Sequence, residues 1–334
     1  MKKSYQILAC LLILLMVALG ATSCITKPLI KFEETRDMMD TFVTITVYSD
    51  EKTGEEAIGA AFARMEEVVK AASIFDEQAE AFQLNRDGHL DAASDDLLKL
   101  ITLSIDYDQM TDGCFDITVQ PLLDLWAGGL WKESAEVQQS RIDETMKLVG
   151  SDKIGIEGNK IDFKVKGMKI TLGGIAKGYA VDEALKVLSS MGIKHALVNA
   201  GGDMATLGPK PDQVPWNIAL ANPDDTSQCL ASFNVSDKAV CTSGNYERYF
   251  NPEKTAAHII NPKTGYSANE CISVTIIAKN CTYADALATG VFVMGPYDGM
   301  NLVESLDDVE CLIVDTNRVL HYSSGLSSYL IQRQ

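Results

Sequence analysis

"ITLGGIAKGYAVDEALKVLSSMGIKHALVNAG", residues 170–201, passes from a strand-like apolar run through a glycine turn into a helical pattern and out into a second apolar run. The helical pattern covers about 177–191 and is ended by Gly192, and "HALVNAG" (195–201) reads as a strand. Strict alternation of this kind along the chain would mean a doubly wound parallel sheet. The residues that follow break it. "WNIALA" (216–221), "LASFNV" (230–235), "ISVTIIA" (272–278) and "ECLIVD" (310–315) are β-rich runs separated by Gly, Pro, Asn and Asp, with one more helix expected at 282–293. Strands therefore cluster, and the expected class is α+β.

Upstream, "TFVTITVY" (41–48) alternates Val43, Ile45 and Val47 with threonines, as a half-buried strand does. Ile58, Ala61, Phe62, Met65, Val68, Val69 and Ala72 then recur at three- and four-residue spacing, which predicts a helix with one apolar stripe. Ser94, followed by Asp95 and Asp96, is an N-cap for a second helix running toward Gly113. The polar stretch 133–150 predicts a peripheral helix. No repeat, low-complexity tract or interdomain linker interrupts the chain, so a single large domain is expected over 37–334.

The 334 residues carry a formal charge of -17, with 46% apolar content. That fraction fills a substantial core, and the scattered basic residues argue against nucleic-acid binding. Lys2 and Lys3 precede an apolar run from Ile7 to Gly20, the order of an export signal and short for a membrane span. Ala21, Thr22 and Ser23 before Cys24 resemble the lipobox of bacterial lipoproteins. The expectation is a signal over 1–23, lipidation at Cys24, a tether over 24–36 and an extracytoplasmic, membrane-anchored domain, most simply on the periplasmic side of the inner membrane. A plain secretory signal or an uncleaved anchor is the alternative. Cys114, Cys229, Cys241, Cys271, Cys281 and Cys311 show no zinc spacing, and their disulfide status stays open.

Several short constellations bear chemistry. The glycine turn before Lys177 could cradle a phosphate with backbone N–H groups, a helix dipole and an ammonium, or could simply be a turn. In "ADALATG" (284–290), Asp285 and Thr289 share one helix face, a carboxylate and a hydroxyl suited to a hard cation. "GCFDITVQPLLDLW" (113–126) sets Phe115 beside Asp116, a pair that could stack on and bond a flat ligand. "NAGGD" (199–203) and "TSGNYERYF" (242–250) add glycine-permitted turns, the latter without a nucleophile-elbow pattern. "HIINPKTGYSA" (258–268) contains one of four histidines, open to a base, a ligand or a strand-end role.

Taken in order, "MMDTFVTIT", "SIFDEQAEAFQLN" (73–85), "GCFDITVQPLLDLW", "LGGIAKGYAVD", "NAGGD", "TSGNYERYF", "HIINPKTG" and "ADALATG" resemble the ApbE-type FAD:protein FMN transferases from about Met39 to near the C-terminus. The resemblance implies a T-fold-related arrangement of mixed or antiparallel sheets with packed helices. It implies FAD as substrate, Mg2+ as cofactor, and transfer of FMN to a Thr or Ser hydroxyl of an exported acceptor protein with release of AMP. It places Met39, Phe75, Cys114, Phe115, Asp116, Lys177 and Asp182 around FAD, the metal on Gly174 (by its carbonyl), Asp285 and Thr289, and His258 as general base. Phe75 stands where many members have Tyr, Cys114 replaces a frequent Ala, and Asp40 replaces a Gly.

These residue types suit the reaction. A divalent cation stabilises charge on the leaving AMP, and a neutral imidazole takes the proton of a weak hydroxyl nucleophile. Hydrolysis of FAD by water at the same site and a non-catalytic flavin- or solute-binding lipoprotein are the competing expectations. The family's targets carry an Asp shortly before Ser/Thr-Gly-Ala-Thr. The GAT of this chain, Gly20 to Thr22, lies in the export signal without such an Asp, so a separate acceptor is implied.

Overall fold

The computed structural model describes residues 29–331. The expected export signal, Cys24 and the first part of the expected tether lie outside the described residues. The chain forms, in order, β1 (Ile30–Met38), β2 (Thr41–Ser49), α1 (Glu51–Ala72), α2 (Glu80–Asp87), β3 (His89–Leu90), α3 (Asp95–Met110), α4 (Gln120–Ala127), α5 (Ala135–Met146), β4 (Ile154–Glu157) and β5 (Lys160–Phe163). It continues with α6 (Ala176–Ser190), β6 (Ala196–Ala200), β7 (Asp203–Leu207), β8 (Trp216–Asn222), β9 (Asp225–Val235), β10 (Ala239–Gly244), β11 (Cys271–Ala278), α7 (Cys281–Met294), α8 (Pro296–Glu304), β12 (Glu310–Asp315) and β13 (Leu320–Tyr322).

Eight strands make one sheet in the order β1-β2-β6-β7-β10-β11-β12-β13, and each neighbouring pair is antiparallel. The class is α+β, as the clustering of strands predicts. Both faces of the sheet are covered. Ala239, Cys241 and Ile276 face the main core with α1, α6 and α7, whereas Val240, Ile277 and Leu312 face a second core under the β8–β9 hairpin with Trp216 and Phe233. Successive strand residues point to opposite faces, so a strand covered on both is apolar throughout, and all eight residues of β11 are buried.

A third core, built from Leu122, Trp126, Leu130 and Ile142 on and around α4 and α5, packs against Ala256 and Ile260. Trp126 Nε1 donates to the Gly265 carbonyl at 2.8 Å, securing the loop that follows His258. Gly265 has φ 74°, and a Cβ there would lie 2.4 Å from Ile142 Cγ2, so only glycine closes this turn.

Two expectations are corrected. Residues 30–36, expected as tether, belong to β1, whose partner β2 supplies the backbone bonds that an isolated polar segment lacks. Residues 170–172, expected as strand, form none. Asn85 receives Ile170 N–H at 2.7 Å and donates to the Ile170 carbonyl at 2.8 Å, so one side chain takes the place of a neighbouring strand. The Ser94 cap is present, its Oγ accepting Leu97 N–H at 3.3 Å.

Candidate active site

Two helices enter the main core side by side and carry much of the site. At Gly178 on α6, a Cβ would sit 2.4 Å from the Cys281 carbonyl oxygen and 2.8 Å from Asp285 Cβ, so glycine lets α6 and the start of α7 touch. Gly178 N–H donates to Asp285 Oδ2 at 2.9 Å. Asp182, one turn on, accepts Cys281 N–H and Thr282 N–H, both at 2.8 Å, and the Thr282 hydroxyl. Both Asp182 oxygens thus serve the N-terminus of α7, where a carboxylate also complements the helix dipole. Burial lifts the Asp182 pKa against those hydrogen bonds. The resemblance implied a place beside FAD; in the structure both oxygens of this carboxylate are bonded to the start of α7.

Alignment of α7 brings Asp285 and Thr289 to the glycine turn. A Cβ on Gly174 would lie 3.0 Å from Thr289 Oγ1 and 3.2 Å from Phe115 Cε2, so these three sequence-predicted residues meet. Ser243 Oγ, on β10, is 3.2 Å from Thr289 Oγ1. Asp285 is buried, which pushes its pKa up, and Asp203 pushes it further while Lys177 opposes. A carboxylate, a hydroxyl and a nearby carbonyl are oxygen donors of the kind that hard divalent cations take, with room left for other oxygens. No group of three or more His, Cys, Asp or Glu suited to a metal occurs among the described residues. The donor set here is instead one carboxylate with neutral oxygens.

Lys177 is ion-paired to Asp203 at the start of β7. Burial pulls the Lys177 pKa down, but Asp203 and Asp285 outweigh it and hold the ammonium well above its ordinary value. The phosphate cradle read from the sequence is altered accordingly. Leu172 O takes Ile175 N–H and Ala176 N–H, Thr171 Oγ1 takes Gly173 N–H, and Asp285 takes Gly178 N–H. Most N–H groups of the turn are therefore occupied, and two carboxylates face one ammonium.

Asp116 lies on the adjoining turn. Its Oδ1 accepts Thr118 N–H at 2.7 Å and Thr118 Oγ1 at 2.6 Å, and burial raises its pKa. Thr171 N–H donates to the Ile117 carbonyl at 2.7 Å, tying this turn to the glycine loop. Cys114 is buried, its pKa raised by desolvation. Nearby Lys263 Nζ donates to Asp112 Oδ2 at 2.7 Å. Cys241, Cys271, Cys281 and Cys311 are likewise buried free thiols.

His258 occupies the segment opposite. Its Nδ1 lies 3.1 Å from the Arg248 carbonyl oxygen. A carbonyl only accepts, so Nδ1 carries hydrogen, and in the neutral ring Nε2 keeps its lone pair. Desolvation lowers the pKa below the usual 6.5, and the Arg248 and Lys177 charges lower it further, against the carbonyl bond that raises it. His258 is thus a neutral, oriented imidazole at neutral pH. Arg248 also reaches Asp40 Oδ2 at 3.6 Å, which links His258 to the β1–β2 turn. Met39 and Asp40 hold φ of 56° and 60° there, the left-handed region that glycine favours and Asp tolerates.

Phe75 stands apart from this cluster. It is 78% exposed and lines a groove of about 290 Å³ with Phe82, Asn85, Gln120 and Lys169. Asn85 connects that groove to the glycine loop through Ile170. Sequence reasoning gave no role to Asp203, Ser243 or Arg248. All three sit in motifs it singled out as turns, and Arg248 meets His258 through its carbonyl, which no residue pattern announces.

The ApbE family model matches residues 39–313. The FAD:protein FMN transferase of Vibrio cholerae is 32% identical over 259 residues, covering 76% of this chain and 78% of that protein. That of Treponema pallidum is 26% identical over 345 residues, covering 94% and 93%. Among solved structures, the ApbE protein of Thermotoga maritima superposes with a TM-score of 0.82 at 31% identity, covering 91% of this chain and 100% of that one. The flavin transferase ApbE from Vibrio cholerae gives 0.78 at 28%, covering 91% and 100%.

Proposed function

The chain belongs to the ApbE family and is a flavin transferase; on that premise we propose that it cleaves FAD, releases AMP and joins the FMN phosphate to a Thr or Ser hydroxyl of an exported acceptor protein, with Mg2+ at the site. The observation that carries this reading is the contact of Gly174 with Thr289 and of Gly178 with Asp285, one helical turn before Thr289, beside a Lys177 already paired to Asp203. Two buried carboxylates against one ammonium repel a bare pyrophosphate. A divalent cation reverses that balance, and the Asp285, Thr289 and Gly174 oxygens fit it. When bound, Mg2+ supplies a Lewis acid that stabilises charge on the departing AMP.

Phe115 and the half-buried groups around it would hold the flavin nucleotide, with Met39, Cys114 and Asp116 at its edges and Phe75 offering an aromatic face from the adjoining groove. Lys177 adds fixed positive charge toward the phosphates. His258 takes the proton of the incoming hydroxyl at Nε2 while Nδ1 stays on the Arg248 carbonyl. Asp182 contributes by holding α7 in place.

Incubation of the chain without its export signal with FAD, Mg2+ and an acceptor bearing Asp shortly before Ser/Thr-Gly-Ala-Thr is expected to give a flavin-fluorescent acceptor band and AMP. Absence of both would sink the proposal. AMP and free FMN without a labelled acceptor would instead show water as the nucleophile, and FAD retained without turnover a binding protein. Lipid attachment at Cys24 is part of the proposal. It predicts membrane-fraction label from a radioactive fatty acid that Cys24→Ser abolishes. No described helix is long and apolar enough to cross a membrane.

A further inference from the structure

Asp203 opens β7 directly after Gly201 and Gly202, whose φ values of 63° and 104° turn the chain sharply. Gly202 N–H donates to Asn199 Oδ1 at 2.9 Å, and Asp203 pairs with Ala200 across the hairpin, so the backbone that carries its carboxylate is fixed at the turn. The residue is 2% exposed. Its Oδ2 accepts from Lys177 Nζ, and its Oδ1 faces Thr242 N–H at 3.4 Å. A buried carboxylate with one strong partner is held there by that partner. Asp285 accepts from the N–H of Gly178, the residue after Lys177, and its charge acts on the Lys177 ammonium. One ammonium thus has two buried carboxylates within its field.

We propose that Asp203 is a positioning residue that holds the Lys177 ammonium away from Asp285, leaving the Asp285 carboxylate open to a divalent cation. The inference rests on the cation reading of Asp285. An ammonium and a divalent cation compete for the same carboxylate, and without the Asp203 charge Lys177 has Asp285 as its remaining partner. The cation must then displace it.

The test is calorimetric titration of the folded chain with Mn2+ alone, followed also by the free-Mn2+ paramagnetic signal. Asp203→Asn is expected to bind Mn2+ roughly tenfold more weakly than the unsubstituted chain, a size typical of coupled charged neighbours. The double variant Asp203→Asn/Lys177→Gln, which removes the competitor with its partner, is expected to return to within about threefold. In turnover assays Asp203→Asn should raise the Mg2+ concentration for half-activation and recover kcat at saturation, a split that a merely structural role would not give. Unchanged Mn2+ affinity in Asp203→Asn, or a double variant as weak as the single, overturns the proposal. If Asp203→Asn does not fold, the double variant, which removes the Lys177 charge together with its Asp203 partner, decides alone: tenfold weakening there means that Asp203 serves the cation directly. No Mn2+ binding by the unsubstituted chain would remove the cation reading itself along with the proposal, whereas binding with a flat Asp203→Asn removes only the proposal.

Discussion

The two halves of the site are built differently. Around α6 and α7, position is set by close packing and buried charge: Gly178 against the Cys281 carbonyl, Asp182 on the first N–H groups of α7, Lys177 on Asp203. Around His258, position is set by loop backbone, with the Arg248 carbonyl on Nδ1 and the Trp126 indole on Gly265. The difference suits the proposed reaction, in which a cation and a pyrophosphate would need fixed oxygens and charges in a dry, rigid setting, whereas a base for an incoming protein hydroxyl would have to lie where a partner chain can reach it.

Asp285→Ala breaks the helical half most severely. Losing the carboxylate removes several kcal/mol of leaving-group stabilisation, so kcat/KM for transfer is expected to fall roughly a thousandfold or more, and Mg2+ activation should disappear. His258→Ala tests the loop half. Loss of a general base is expected to lower kcat by roughly 10²–10⁴-fold while FAD binding, measured by flavin fluorescence, stays close to that of the unsubstituted chain. Equal loss of FAD binding in His258→Ala would show that the two halves are not separable.

Gly178→Ala addresses packing instead of chemistry. Its Cβ would meet a backbone carbonyl at 2.4 Å, and neither helix can give way without moving Asp285. Overpacking of this kind costs about 1–3 kcal/mol or more. The melting temperature should drop by roughly 2–12 °C, at about 2–4 °C per kcal/mol for a large domain. Activity should fall with it as Asp285 shifts. An unchanged melting temperature would mean that the helix contact is softer than described.

Legibility in the sequence also divided along these lines. The α1 stripe, the Ser94 cap and the runs that become β6, β8, β11 and β12 depend on local periodicity and capping, so their elements appeared where expected. The β1 segment did not, because its exposed, charged face gives no apolar alternation and its structure comes from pairing with β2. Nor did the loop at 170–172, where an Asn85 side chain replaces a strand from 85 residues away. Asp285 and Thr289 were legible as a pair because four residues on a helix share a face. Asp203 was not, since its partner comes from another element and its burial from the whole core.

The smallest effect sharpens the loop half. With His258 as the proposed base, transfer would need its neutral ring, so kcat/KM should rise with pH through an inflection below 6.5 and stay level above it, since desolvation is the largest cause of the lowered pKa. Arg248 adds to that lowering through a guanidinium whose side chain is 61% exposed and therefore partly screened by water. Arg248→Gln keeps the backbone carbonyl that orients Nδ1 and deletes the charge. Without that charge the inflection should move up toward 6.5, lowering activity at pH 6 and leaving it unaltered at pH 8. Added salt should shift the unsubstituted chain slightly toward the variant and the variant hardly at all, because burial is not screened by ions while the Arg248 field is. A variant inflection that moves down, or one that follows salt as strongly as the unsubstituted chain, would show that backbone geometry and not the Arg248 charge sets the proton affinity of His258.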